Sequence, residues 1–117
     1  MAKKNPSLKW NITYGSGGVS GFMSIDQLSI SGDVDGKQAL VAKDYVFGEV
    51  TNEQGLSFLF GKMDGIAGMA YQSISVLQTQ PFFNALFDQK QVENNVFSFY
   101  MTKHKGTDVS VAVFSDS

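Results

Sequence analysis

The chain has 117 residues, enough for one domain with a real core, and 43% of them are aliphatic or aromatic, which excludes a disordered segment. Its net charge is −2 and all nine basic residues are lysines; with no guanidinium to fork onto a phosphate or a guanine edge, nucleic-acid recognition is not expected. There is no cysteine, which excludes a disulfide framework and thiolate chemistry.

The N-terminal MAKKNPSLKW has no apolar stretch of the signal-peptide kind, and no run in the chain is long enough to span a bilayer. Leu8, Trp10, Ile12 and Tyr14 alternate with Lys9, Asn11 and Thr13, which predicts a half-buried strand. Inside it, Asn11-Ile12-Thr13 matches a glycosylation acceptor, whereas Asn5-Pro6-Ser7 is excluded by its proline. A glycine-rich turn, Gly15-Ser16-Gly17-Gly18, leads into a second strand over residues 19–30 through Phe22, Ile25 and Leu28.

Ser31-Gly32-Asp33-Val34-Asp35-Gly36 is a turn cluster, and a third strand is expected over 39–50, ending at Asn52-Glu53-Gln54-Gly55. Residues 56–63 are apolar with glycine punctuation and fit a short strand or a helical turn. Asp64-Gly65-Ile66-Ala67-Gly68-Met69 has the composition of a buried strand end where another backbone comes close. Residues 80–89 form the best helix, with Pro81 near its first turn and Thr79 as candidate cap. Phe82 with Leu86, and Phe83 with Phe87, would bury one face. Two strands, over 96–101 and 109–114, close a mostly β chain with one clear helix.

Chemistry-bearing residues are sparse. His104 is the only histidine and sits between two lysines in a polar loop, so a solvated side chain is expected and no metal is. Asp33-Val34-Asp35-Gly36 opens like a calcium loop, but the later ligands are missing, and a hairpin turn accounts for it better. The glycines at 15–18 precede a strand rather than a helix, which excludes a phosphate loop. No Gly-x-Ser-x-Gly elbow opens a helix. Of the eight aspartates, none stands in an apolar run followed by Thr or Ser and then Gly.

Taken together, five blocks resemble the pepsin-like aspartic endopeptidases, peptidase family A1, in order and with near-family spacing over about residues 8–102. Tyr14-Gly15-Ser16-Gly17 with Val19-Ser20-Gly21-Phe22 resembles the flap hairpin of that family, and Val46-Phe47-Gly48-Glu49 the strand that follows. Met63-Asp64-Gly65-Ile66-Ala67-Gly68-Met69-Ala70-Tyr71 is similar to its "FDGILGLAY" segment. Pro81-Phe82-Phe83-Asn84-Ala85-Leu86 and Val96-Phe97-Ser98-Phe99-Tyr100 resemble the later helix and strand of the same lobe.

The resemblance implies a partial pepsin-like acid protease lobe, β-barrel or sandwich-like, with one or two short helices. Residues 1–117 would form a single partial N-terminal lobe, with the flap hairpin at about 8–30, amounting to roughly a third of a two-lobed enzyme. It implies aspartic endopeptidase activity for the whole, with Tyr14, Gly15 and Ser16 positioning substrate and Met63 and Ile66 lining a hydrophobic specificity pocket near residues 56–59. Ile66-Ala67-Gly68 would cross behind a catalytic loop.

Both Asp-Thr/Ser-Gly motifs are absent from these residues, so no catalytic residue is assigned, and the chain alone is expected to be inactive. The expected partners are an extended peptide or protein substrate and the remainder of a bilobal protease, with no cofactor, nucleic acid or membrane. The family points to a secreted or lysosomal/vacuolar location. A non-catalytic peptide-binding paralogue is the alternative; a symmetric dimer would contain no aspartate pair. Open sheet edges predict marginal stability or aggregation for the isolated polypeptide.

Overall fold

The structure is a computed structural model, which describes residues 3–15 (3–7 as backbone only), 17–31, 39–55, 61–103 and 110–114. Ser16, the Asp33–Gly36 turn, residues 56–59, His104 and Asp108 lie outside the described residues. Among the described residues the fold is mostly β, as expected. Strands β1 (Lys3–Tyr14), β2 (Gly17–Ile30) and β3 (Leu40–Gln54) form an antiparallel meander, and β4 (Phe97–Tyr100) pairs antiparallel with β5 (Val111–Phe114).

β1 starts earlier than the alternating pattern indicates. Its ladder with β2 is interrupted between Asn5 and Lys9, where Pro6 has no N–H to give; a proline is tolerated here because β1 is an edge strand of this sheet. β3 likewise runs on through Gln54, past the expected end at residue 50.

Two 3-10 turns, Gln72–Ile74 and Val76–Gln78, lead to helix α1 (Phe82–Asp88). Pro81 is its N-cap and no side chain caps it. The expected cap, Thr79, instead donates its hydroxyl to the Val76 carbonyl at 3.3 Å and lies 2.8 Å from the Ser75 hydroxyl, occupied by the preceding turn. The C-terminus closes on Lys90 in the left-handed region (φ 55°). The amides of Lys90 and Gln91 return to the carbonyls of Phe87 and Leu86 at 3.0 and 2.9 Å, which satisfies the last turn.

That turn aims two glutamines at the outer edge of β3. Gln89 accepts from the Lys43 amide at 2.8 Å and donates to the Lys43 carbonyl at 2.9 Å, and Gln91 accepts from the Val41 amide at 3.2 Å. The side chains thereby stand in for a neighbouring strand and blunt an otherwise open edge.

The core sits where α1 meets β3 and the β4–β5 pair: Ala42, Phe82, Phe83, Ala85, Leu86 and Val92, with Tyr45, Met69, Phe97 and Phe114 packed against them. Phe82, Phe83 and Leu86 are buried as their spacing predicts, but Phe87 is exposed, because the apolar stripe is narrower than two full i, i+4 pairs.

The segment 64–69 corrects the expectation of a buried strand end. It forms no strand, Asp64 to Gly68 are exposed, and a Cβ added at Gly65 or Gly68 would meet no described atom within 4 Å. Only Met69 reaches the core. Small residues and glycine spacing allow close backbone approach, but among the described residues nothing approaches.

Burial raises the phenol of Tyr45, half-buried against the edge of Phe82, above its usual value near 10. The folded state therefore holds this proton more tightly than the unfolded chain. The stability linked to it is complete below about pH 10 and is lost as pH rises through the folded value. An absorbance titration is expected to show one tyrosine ionising late, and Tyr45→Phe to remove that component; a titration with no late component would contradict the packing.

Candidate functional site

The site is built at the tip of the β1–β2 hairpin. Tyr14 pairs with Gly17, Ile12 with Val19 and Trp10 with Gly21, so these side chains share one face of the sheet. Trp10 fixes the hairpin base. Its indole Nε1 donates to the Phe22 carbonyl at 3.1 Å, and its ring lies on Gly48, where an added Cβ would stand only 2.5–2.7 Å from the ring atoms. On the opposite face the buried Ser24 hydroxyl donates to Glu49 Oε1 at 2.7 Å, a second tie between β2 and β3.

Two of the hairpin glycines are required by the sheet rather than by mobility. A Cβ on Gly17 would collide with the Gln54 carbonyl, and one on Gly21 with the Glu49 carbonyl. Gly15 differs: it is exposed, and a Cβ there would meet no described atom within 4 Å.

Beyond the tip, β3 carries a bulge. Ser20 pairs with Asn52 and Gly21 with Val50, so Thr51 is an extra residue. Val50 and Glu53, three apart, would otherwise face opposite sides; the bulge puts both on the side of Tyr14. The segment after β3 then brings in Met63 and Ile66.

The result is a cavity of about 130 Å³, walled by Tyr14 and Val19, by Val50 and Glu53, and by Met63, Asp64, Gly65 and Ile66. This is close to the ~150 Å³ of an engineered apolar pocket that accepts benzene, room for one hydrophobic side chain. Tyr14, Met63 and Ile66 remain 38, 58 and 61% exposed, so they form its open rim.

Of the sequence-derived candidates, the structure therefore brings Tyr14, Met63 and Ile66 to one cavity and leaves Gly15 at the open tip. Val19, Val50, Glu53 and Asp64 join them without having been expected. Val19 was findable, because hairpin pairing puts it beside Ile12 on Tyr14's face. Val50 and Glu53 were hidden by the bulge.

Among the described residues no cluster of three His, Asp or Glu side chains suits a metal ion, and no helix is long and apolar enough to cross a membrane. A larger open groove, about 710 Å³, lies on the other face of the hairpin and is lined by Lys9, Trp10, Asn11, Ser20, Gly21, Phe22 and Thr51.

Comparison with known proteins gives a consistent picture. The family model described as eukaryotic aspartyl protease matches residues 1–116. The chain is 43% identical over 97 residues to cathepsin D of Clupea harengus, covering 83% of this chain and 23% of that protein. It is 42% identical over 104 residues to vacuolar protease A of Neurospora crassa, covering 89% and 24%, and 40% identical over 98 residues to cathepsin D of Homo sapiens, covering 80% and 24%. The matched part of the chain thus spans about a quarter of the length of these relatives.

Proposed function

This chain belongs to the eukaryotic aspartyl protease family, and on that premise we propose that residues 1–117 form a partial N-terminal lobe whose hairpin, about residues 8–30, closes as a flap over an extended peptide. The observation that carries the proposal is the cavity of about 130 Å³ under Tyr14. Its size and its Val19, Val50, Met63 and Ile66 walls suit one apolar side chain of a substrate.

In this reading Tyr14 packs over that side chain, while Gly15 and Ser16 offer backbone groups to the peptide main chain. Without a Cβ at Gly15 a second backbone can come close. Closure excludes water from the bond being cut.

Hydrolysis in such an enzyme uses two aspartates that share a proton around the attacking water. None of the eight aspartates here stands in an Asp-Thr/Ser-Gly motif, so these residues are assigned to gripping and the carboxylate pair to residues outside this sequence. The exposed apolar side chains Tyr71, Ile74, Tyr100 and Met101 are assigned to contact with the remainder of the protease.

Tyr14→Ala is expected to weaken binding of a fluorescently labelled extended peptide with a central leucine or phenylalanine by about tenfold to a hundredfold, ~1.4–2.8 kcal/mol. Tyr14→Phe should keep most of the affinity. Anisotropy titration reads this out, and equal affinity for Tyr14→Ala and the unmodified chain would remove the proposal. The missing catalytic motif favours a second reading, a non-catalytic peptide-binding relative. It predicts the same loss of binding, with no cleavage at any acidic pH by the protein translated from the full transcript.

A further inference from the structure

Asn11-Ile12-Thr13 plays no part in the proposed grip. Tyr14 and Val19 line the cavity and Ile12 shares their face of the sheet, whereas Asn11 and Thr13 fall on the opposite face by the two-residue period of the strand. Both are exposed, and among the described residues neither side chain takes part in a hydrogen bond. We propose that Asn11 is an N-glycosylation site whose glycan stands on the back of the hairpin, clear of the cavity under Tyr14.

Three features of the surroundings suit it. The acceptor needs an asparagine amide and a hydroxyl two residues on, and the strand sets the two on one exposed side. The cross-strand partner of Asn11 is Ser20, a small residue that leaves the amide unobstructed. Asn11 also borders the groove of about 710 Å³, where Phe22 is its diagonal neighbour, since Phe22 pairs with Lys9. The first sugar can lie with its C–H face on that ring.

The transfer forms a bond between Asn11 Nδ2 and C1 of an oligosaccharide carried on a lipid pyrophosphate. The C1–O bond to the pyrophosphate breaks, the lipid pyrophosphate leaves, and one amide proton is given up to the transferase. The donor meets the chain before β1 pairs with β2, so the folded protein has only to tolerate the product. An exposed position on the edge strand of this sheet does so.

The test is to pass the full chain through the secretory pathway of cultured eukaryotic cells behind a secretory leader. An Asn-Gly-Thr reference acceptor appended after Ser117 reports entry. The glycans are then released with an amidase that converts each linked asparagine to aspartate. Peptide mapping is expected to read aspartate at position 11 only after release. The mass of one glycan should be lost in Asn11→Gln and in Thr13→Val, and kept in Thr13→Ser. A glycosylated reference acceptor beside an unmodified Asn11 would overturn the proposal.

Discussion

Phe82→Ala is expected to cost about 3–5 kcal/mol, the range for truncating a buried phenylalanine. Phe82 is 2% exposed, packs edge-on against Tyr45 at 5.7 Å between centroids, and belongs to a cluster of only a few fully buried side chains. The hole it would leave is bordered by the helix backbone and by β3, neither of which can collapse into it without breaking the Gln89–Lys43 pairing. Whole domains are held together by ~5–15 kcal/mol, so the loss takes a large share of the total and leaves much of the variant unfolded. Phe87→Ala, on the exposed side of the same helix, should cost far less, within about 1 kcal/mol. Urea unfolding of the two variants, followed by circular dichroism, makes the comparison, and equal losses would show that α1 does not pack as described.

Gly21→Ala carries the second large effect, about 1–3 kcal/mol from overpacking. The added methyl meets the main-chain carbonyl of Glu49, which cannot swing aside as a side chain would. Relief requires β2 and β3 to part at the bulge, where Thr51 is the extra residue. The consequence reaches the site, because that bulge sets Val50 and Glu53 on the side of Tyr14. Gly15→Ala supplies the control: with no described atom within 4 Å of the new methyl, stability should change by no more than about 0.5 kcal/mol. Amide exchange should quicken along β2 and β3 in Gly21→Ala alone. Unchanged exchange and stability would mean that the strands are not in this register.

The contrast between these glycines shows what sequence reading can and cannot resolve. In the sequence Gly15 and Gly17 belong to one glycine-rich turn and Gly21 to the strand that follows, and no local pattern tells which of them is constrained. Gly17 and Gly21 are instead held by the close approach of β3, a non-local contact that no short window contains.

Period-two alternation did place β1 from Leu8 onward, with Ile12 and Tyr14 on one face and Asn11 and Thr13 on the other, because alternation is a local consequence of the pleat. It missed residues 3–7, where Pro6 reads as a breaker yet is tolerated at an edge. Thr79 failed as a helix cap because the 3-10 turn before it claims the hydroxyl first. Residues 64–69 failed as a buried strand end for a related reason: composition reports what a segment permits, whereas burial depends on what lies against it.

The cavity itself was only half legible. Tyr14, Met63 and Ile66 came from the resemblance of whole blocks, since nothing in periodicity links position 14 to position 63. Val50 and Glu53 required the bulge.

The central claim is that a peptide side chain enters the cavity beneath Tyr14, and the most direct measurement is where a peptide perturbs the protein. With the methyl groups of isoleucine, valine and methionine labelled, titration with an extended peptide bearing a central leucine should shift the nuclear magnetic resonance signals of Ile66, Met63, Val50 and Val19 together, saturably, and leave Val92 in the core unmoved. Shifts confined to residues outside the cavity, with those four signals unchanged at saturation, would contradict the claim.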